Sequence, residues 1–178
     1  YMWEPSDDPS THTVMVGDES YINHSYYRTL AKAFAWRMQM LAYRHYEVSG
    51  HSPWTVIEEG KLDESNPTWV TTRDMYRPLA AFLREYDLRF YSGENVHRTV
   101  ELFNDTMSDL TEVQFQWTLF DGDRTIAQGG ETLSMTSGDH LERSIQLPMP
   151  ETNEPKTLTF RLTTGVNGEE KFREEYRL

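Results

Sequence analysis

From residue 113 to residue 119 the side chains alternate without a break: Val113, Phe115, Trp117 and Leu119 are apolar, and Gln114, Gln116 and Thr118 between them are polar. A period of two places all four apolar groups on one face of an extended chain, which a helix cannot do. Leu158, Phe160 and Leu162 repeat the pattern around Thr159 and Arg161. Strands with one dry and one wet face belong to antiparallel sheets. Further short runs at 88–91, 96–103, 125–128, 132–135, 141–147 and 171–178 are separated by turn residues such as Ser92-Gly93, Gly129-Gly130, Ser137-Gly138 and Asn167-Gly168. About seven or eight such strands in roughly 95 residues predict an all-β immunoglobulin-like sandwich. Trp117 falls where such folds bury a tryptophan, and the Arg and Glu ladder of residues 171–177 reads as protection of an edge strand.

The chain before residue 84 has a different rhythm. Leu30, Phe34, Met38 and Leu41 recur at helical spacing, with Ala31, Ala35 and Ala42 between them and no Gly or Pro to interrupt, which predicts a helix over 27–46. Trp36, Met38, Met40, Tyr43 and Tyr46 are expected to fill core space on it. A short apolar run at 13–17 precedes this helix and empties into Asp18-Glu19; a second strand-like run, 48–54, follows it and ends in Ser52-Pro53-Trp54. After a charged loop at 58–66, Asn66-Pro67 opens a helix expected to reach Arg84, with Trp69, Met75, Leu79 and Phe82 buried. Strand, helix, strand predicts a parallel α/β segment, and such folds gather their chemistry where the strands end. Candidate site residues are therefore Glu19, Asp18, Tyr21 and His24 near the first strand end, and His51 and Trp54 near the second. The plain alternatives are a helix-terminal charge for Glu19 and interface packing for Trp54. Two parallel strands and two helices cannot close a sheet, so either an upstream region supplies the remaining strands or this segment serves a smaller fold.

Charge narrows the partners. With 29 acidic against 17 basic residues the net charge is -12, and a field of that sign repels phosphate backbones and anionic lipid headgroups. Neither nucleic acid nor a membrane is expected as a partner, whereas neutral sugars are indifferent to the field. The chain has no cysteine, which removes disulfides, thiolate metal sites and thiol nucleophiles together. No apolar run approaches the ~20 residues of a membrane span. Residues 1–5 lack the features of a signal peptide, although a leader could precede Tyr1. Asp18, Glu19 and His24 do not show metal-ligand spacing, and no metal or cofactor is expected.

Taken together, a strand ending in an acid, a helix rich in Ala and aromatics, a strand ending in Trp54, the segments Asp87-Leu88-Arg89-Phe90-Tyr91-Ser92-Gly93-Glu94 and Val100-Glu101-Leu102-Phe103-Asn104-Asp105, and then Trp117-Thr118-Leu119 resemble the C-terminal portion of family 2 glycoside hydrolases, the β-galactosidase and β-glucuronidase relatives. The resemblance implies an α/β segment over 1–84, the end of an incomplete (β/α)8 barrel, and an immunoglobulin-like sandwich over 85–178. It implies a retaining double displacement by two carboxyl groups about 5 to 5.5 Å apart. Glu19 would be the nucleophile and Trp54 the sugar platform, with His51, His24, Asp18 and Tyr21 as substrate contacts. The general acid/base would lie upstream of Tyr1 in the rest of the same enzyme, leaving this chain inactive alone. Family members carry Ser or Gly before the glutamate; here Asp18 stands there and competes for the role. Carbohydrate is the expected partner and an extracellular or periplasmic location the expected one. The alternatives are a non-catalytic carbohydrate-binding module and a structural sandwich for protein association.

Overall fold

The computed structural model describes residues 18–50 and 62–178, without the side chains of residues 19, 20 and 24–28. The strand expected at 13–17 lies outside the described residues, as do residues 51–54 of the second. The chain divides into two compact units between Arg77 and Pro78.

In the first unit a short 3-10 turn, Asp18–Tyr21, precedes α1 (His24–His45), and α2 is Pro67–Met75. Alanines let α1 approach its neighbours closely: Ala31, Ala35, Trp36, Met40 and Leu41 are buried, while Phe34 is 40% exposed. Trp36, Met40 and Leu41 are thus buried as expected, whereas Phe34 and Tyr46 are not. Trp36 Nε1 donates to Thr72 Oγ1 at 3.1 Å, and Arg44 Nη1 donates to the Met75 carbonyl at 3.0 Å, satisfying an acceptor that the end of α2 leaves open. The start of α2 is set by Asn66, whose side chain accepts from the backbone N–H groups of Thr68 and Trp69, with Pro67 pre-shaped for the first turn. Its end comes at Met75, nine residues before the expected limit of Arg84, because proline disfavours helical backbone at the residue before it and Pro78 lies close ahead.

This unit contains no strand among its described residues, and every strand pairing among the described residues of the chain is antiparallel. The expected barrel end is overturned. A parallel unit needs strands flanking its crossover helix, yet residues 46–50, directly after α1, are exposed and irregular.

The second unit is all β: β1 (Leu79–Leu83), β2 (Asn95–Asn104), β3 (Leu110–Asp121), β4 (Arg124–Met135), β5 (His140–Pro148), β6 (Thr159–Val166) and β7 (Glu169–Arg177). One sheet has the order β1-β2-β5 and the other β4-β3-β6-β7. Val113, Phe115 and Leu119 of β3 share one buried core with Leu79, Ala81 and Leu83 of β1 and Val100 and Leu102 of β2, so the two sheets close on each other as a sandwich. With β4 bonded to β3, the strand order is that of an immunoglobulin-type sandwich whose fourth strand has joined the opposite sheet. Trp117 is half-buried and lies 6.3 Å from the Phe160 ring, centroid to centroid. The two runs at 125–128 and 132–135 are one strand, continuous through Gly129-Gly130, and 88–91 is irregular rather than a strand. The charged last strand, β7, is an edge.

Candidate functional site

Of the six residues singled out near the two expected strand ends, only Asp18 and Tyr21 have described side chains. Asp18 and Tyr21 are exposed on the 3-10 turn. Glu19 belongs to that turn and His24 is the first residue of α1, but their side chains lie outside the description, and His51 and Trp54 lie outside it altogether.

Three places in the sandwich unit bring polar groups together. The first surrounds Glu101, which is 2% exposed although it sits in the middle of β2. Arg84 Nε donates to Glu101 Oε1 at 2.8 Å, and the same guanidinium donates to Glu142. These carboxylates, Glu142 first, hold the Arg84 pKa above its usual range. His140 Nε2 lies 3.7 Å from Glu101 Oε1, and its ring stacks on Phe103 at 4.4 Å. Glu101, His140 and Glu142 present ligand atoms within 4.8 Å of one another, a spacing that would suit a divalent ion. The position is already served by a cation: a metal there would have to displace the guanidinium that pairs both carboxylates. The cluster is a part-exposed ion-pair network that satisfies the buried Glu101 carboxylate.

The second place is a groove of about 540 Å³ along β3 and β4. Gln114, Gln116 and Thr118 line it from β3, and Gln128 and Thr132 from β4, where Gly129 and Gly130 add no side chains. The glycines are required by close approach: a Cβ at 129 would come within 2.8 Å of the Trp117 indole, and one at 130 within 2.3 Å of the Phe115 carbonyl oxygen. The acid of this lining, Glu131, is drawn away by an ion pair with Arg143 of β5. Amides and hydroxyls remain, together with the half-buried Trp117, whose indole lies against Gly129.

The third place is a hollow of about 370 Å³ at one end of the sandwich, between the segment 88–92 and the loop after β5. Burial alternates along that segment: Leu88 and Phe90 turn toward the core, and Arg89 and Tyr91 turn outward. Arg98, buried on β2, fastens it. Its Nη2 donates to the Asp87 carboxylate at 2.8 Å and to the Asp87 carbonyl at 3.0 Å, and its guanidinium stands 4.6 Å from the centre of the Phe90 ring. Gly93, in a left-handed conformation at φ 73°, turns the chain so that its N–H reaches the Pro150 carbonyl at 3.3 Å. Ser92 Oγ accepts from the Thr152 N–H at 2.7 Å, and the Met149 N–H donates to the Glu94 carbonyl at 2.8 Å. Two loops are therefore stitched into a fixed wall. Tyr91, 85% exposed, offers a ring at its rim, and Asn153, Glu154 and Thr152 offer hydrogen-bonding groups beside it. The sequence contained the pieces of this site in 87–94, but the meeting of that segment with 149–158 is a contact between distant parts of the chain.

No family model and no curated protein matches the sequence. In shape the chain is similar to a β-glucuronidase of glycoside hydrolase family 2, at 13% identity and a TM-score of 0.41, covering 57% of this chain and 11% of that one. It is similar to a β-galactosidase-type protein from Bacteroides fragilis at 9% identity and a TM-score of 0.43, over 55% of this chain and 15% of that one. The alkylpurine DNA glycosylase AlkC of Pseudomonas fluorescens, bound to DNA containing an abasic-site analogue, gives 14% identity and a TM-score of 0.37, over 96% of this chain and 52% of that one. The chain thus spans about a ninth of the glucuronidase and a seventh of the galactosidase. At these identities and scores the activities of the three proteins stay with those proteins. No helix among the described residues is long and apolar enough to cross a membrane.

Proposed function

We propose that residues 78–178 form a glycan-binding β-sandwich module of a carbohydrate-active protein, with the Tyr91 hollow as its sugar site. One observation carries the reading: an exposed aromatic ring at the rim of a hollow whose wall is hydrogen-bonded in place and lined by amide, hydroxyl and carboxylate groups. An aromatic ring covers the apolar C–H face of a sugar while neighbouring polar groups meet its hydroxyls, and a wall ordered in advance lowers the entropic cost of binding. The hollow lies at the lower end of the ~300–1,000 Å³ usual for small-molecule sites. The family 2 resemblance of residues 87–105 supports the same class of partner.

Calorimetry of the full chain with a panel of oligosaccharides tests this. Binding that is lost in Tyr91→Ala, with an unchanged melting temperature, is the expected result; absence of binding across the panel, or full binding by Tyr91→Ala, overturns it.

In the intact enzyme this reading has β-glycosides cleaved with retention. Glu19 is the nucleophile to examine, Trp54, His51, His24, Asp18 and Tyr21 are the sugar contacts, and the second carboxyl group comes from another part of the protein. The sequence resemblance supports that assignment. Glu19→Gln in the intact enzyme should abolish hydrolysis of a chromogenic β-glycoside, and retained turnover would remove Glu19 from the mechanism.

A further inference from the structure

We infer that the hollow recognises a sugar bearing a carboxylate, a uronic acid unit, by pairing it with Arg89; the inference rests on the glycan-binding reading above. Arg89 is exposed on the rim, two residues from Tyr91. Because Leu88 and Phe90 turn toward the core, the Arg89 and Tyr91 side chains are both left on the solvent side of the segment.

The charges around the hollow give the ligand its chemistry. Five other arginines of this unit are engaged: Arg84 by Glu101 and Glu142, Arg98 by Asp87, Arg143 by Glu131, Arg161 by Glu175, Arg173 by Glu170; Arg124 and Arg177 form no ion pair among the described residues but do not line the hollow. Arg89 forms no ion pair among the described residues. The other cation of the lining, Lys156, is held by Asp121. A planar guanidinium left open beside an aromatic ring suits a bidentate carboxylate. The acid of the lining, Glu154, sets a second condition, because a ligand that was only an anion would be repelled by it. A uronic acid meets both: its carboxylate goes to Arg89, its hydroxyls donate to Glu154, and its ring lies on Tyr91. The chain's net charge of -12 opposes an anion at long range, but at ordinary salt that field is screened beyond roughly 8 to 10 Å and the local guanidinium decides.

The test compares a glucuronic-acid-containing oligosaccharide with the same oligosaccharide after reduction of its carboxyl groups to alcohols, by calorimetry on the full chain. The acidic form should bind at least tenfold more tightly, and the gap should narrow as NaCl is raised. Arg89→Gln should erase the gap while leaving affinity for the reduced form within about twofold, and Arg89→Lys should restore part of it. Tyr91→Ala should weaken both forms. Equal binding of the two forms by the unsubstituted chain, or a gap that survives in Arg89→Gln, overturns the uronate assignment while leaving the glycan-binding reading standing. Binding of neither form overturns both. Thermal melts of the Arg89 variants, an exposed position, confirm that the fold is intact.

Discussion

Asn104 shows what a single buried amide can hold. Its Nδ2 donates to the carbonyls of Ser108, Met135 and Thr136 at 3.1, 3.2 and 2.9 Å, while its Oδ1 accepts from the N–H and Oγ1 of Thr106. The side chain ties the loop after β2 to the end of β4, so the Asn104-Asp105 pair that helped carry the family resemblance has a structural role here. Asn104→Ala would strip several buried partners at once, and leaving a buried polar group unmet costs ~1–3 kcal/mol. The expected loss is about 2–3 kcal/mol, read as a lower urea midpoint at an unchanged m-value. A loss below about 0.5 kcal/mol would show that water replaces the amide. At this scale the sequence placed Asn104 just past the strand-like run 96–103 and Tyr91 at the end of the run 88–91. Two of the amide's partners, the Met135 and Thr136 carbonyls, come from positions about thirty residues away, and Tyr91's exposure follows from Arg98 anchoring the segment at Asp87 and Phe90. Neither contact leaves a trace in local spacing.

Among the elements, the instructive segment is Leu79–Leu83, Leu-Ala-Ala-Phe-Leu, all five residues buried. Leu and Ala favour helix, and the segment follows a helix, so local propensity points the wrong way. Pro78 ends that possibility, and pairing with β2 along the whole segment, from Leu79 with Asn104 to Leu83 with Val100, makes it a strand. The Leu83 N–H also donates to Tyr176 Oη at 3.0 Å, linking β1 to β7. Strand β4 shows the converse problem. It is a long edge, with Glu131 opposite Phe115 in register and held by Arg143 across the seam between the sheets. A charge turned inward near an edge discourages another chain from adding to it. Glu131→Ala should cost little stability, since the pair is partly exposed and such pairs contribute ~0–1 kcal/mol. It should, however, increase self-association with concentration, as measured by light scattering; a monomer indistinguishable from the unsubstituted chain would place the edge's protection elsewhere.

Considered whole, the chain carries two units of different construction, and the sandwich has a core of its own drawn from both sheets. Residues 78–178 produced alone should therefore give a β-type circular dichroism spectrum and a single cooperative thermal transition; a broad transition or a disordered spectrum would show that the remaining residues are needed for folding. The strand half was legible because one-sided burial writes a period of two directly into the residues, as at Val113, Phe115, Trp117 and Leu119. The helix of the first unit was likewise visible at close to its true extent. What those same residues could not settle is which segments lie beside one another. An apolar five-residue run looks alike in a helix, a parallel barrel or an antiparallel edge, since the choice is made by hydrogen bonds to a partner strand far along the chain. That is why the barrel expectation gave way, and why the hollow that joins Arg89, Tyr91 and Glu154 exists only in the folded molecule.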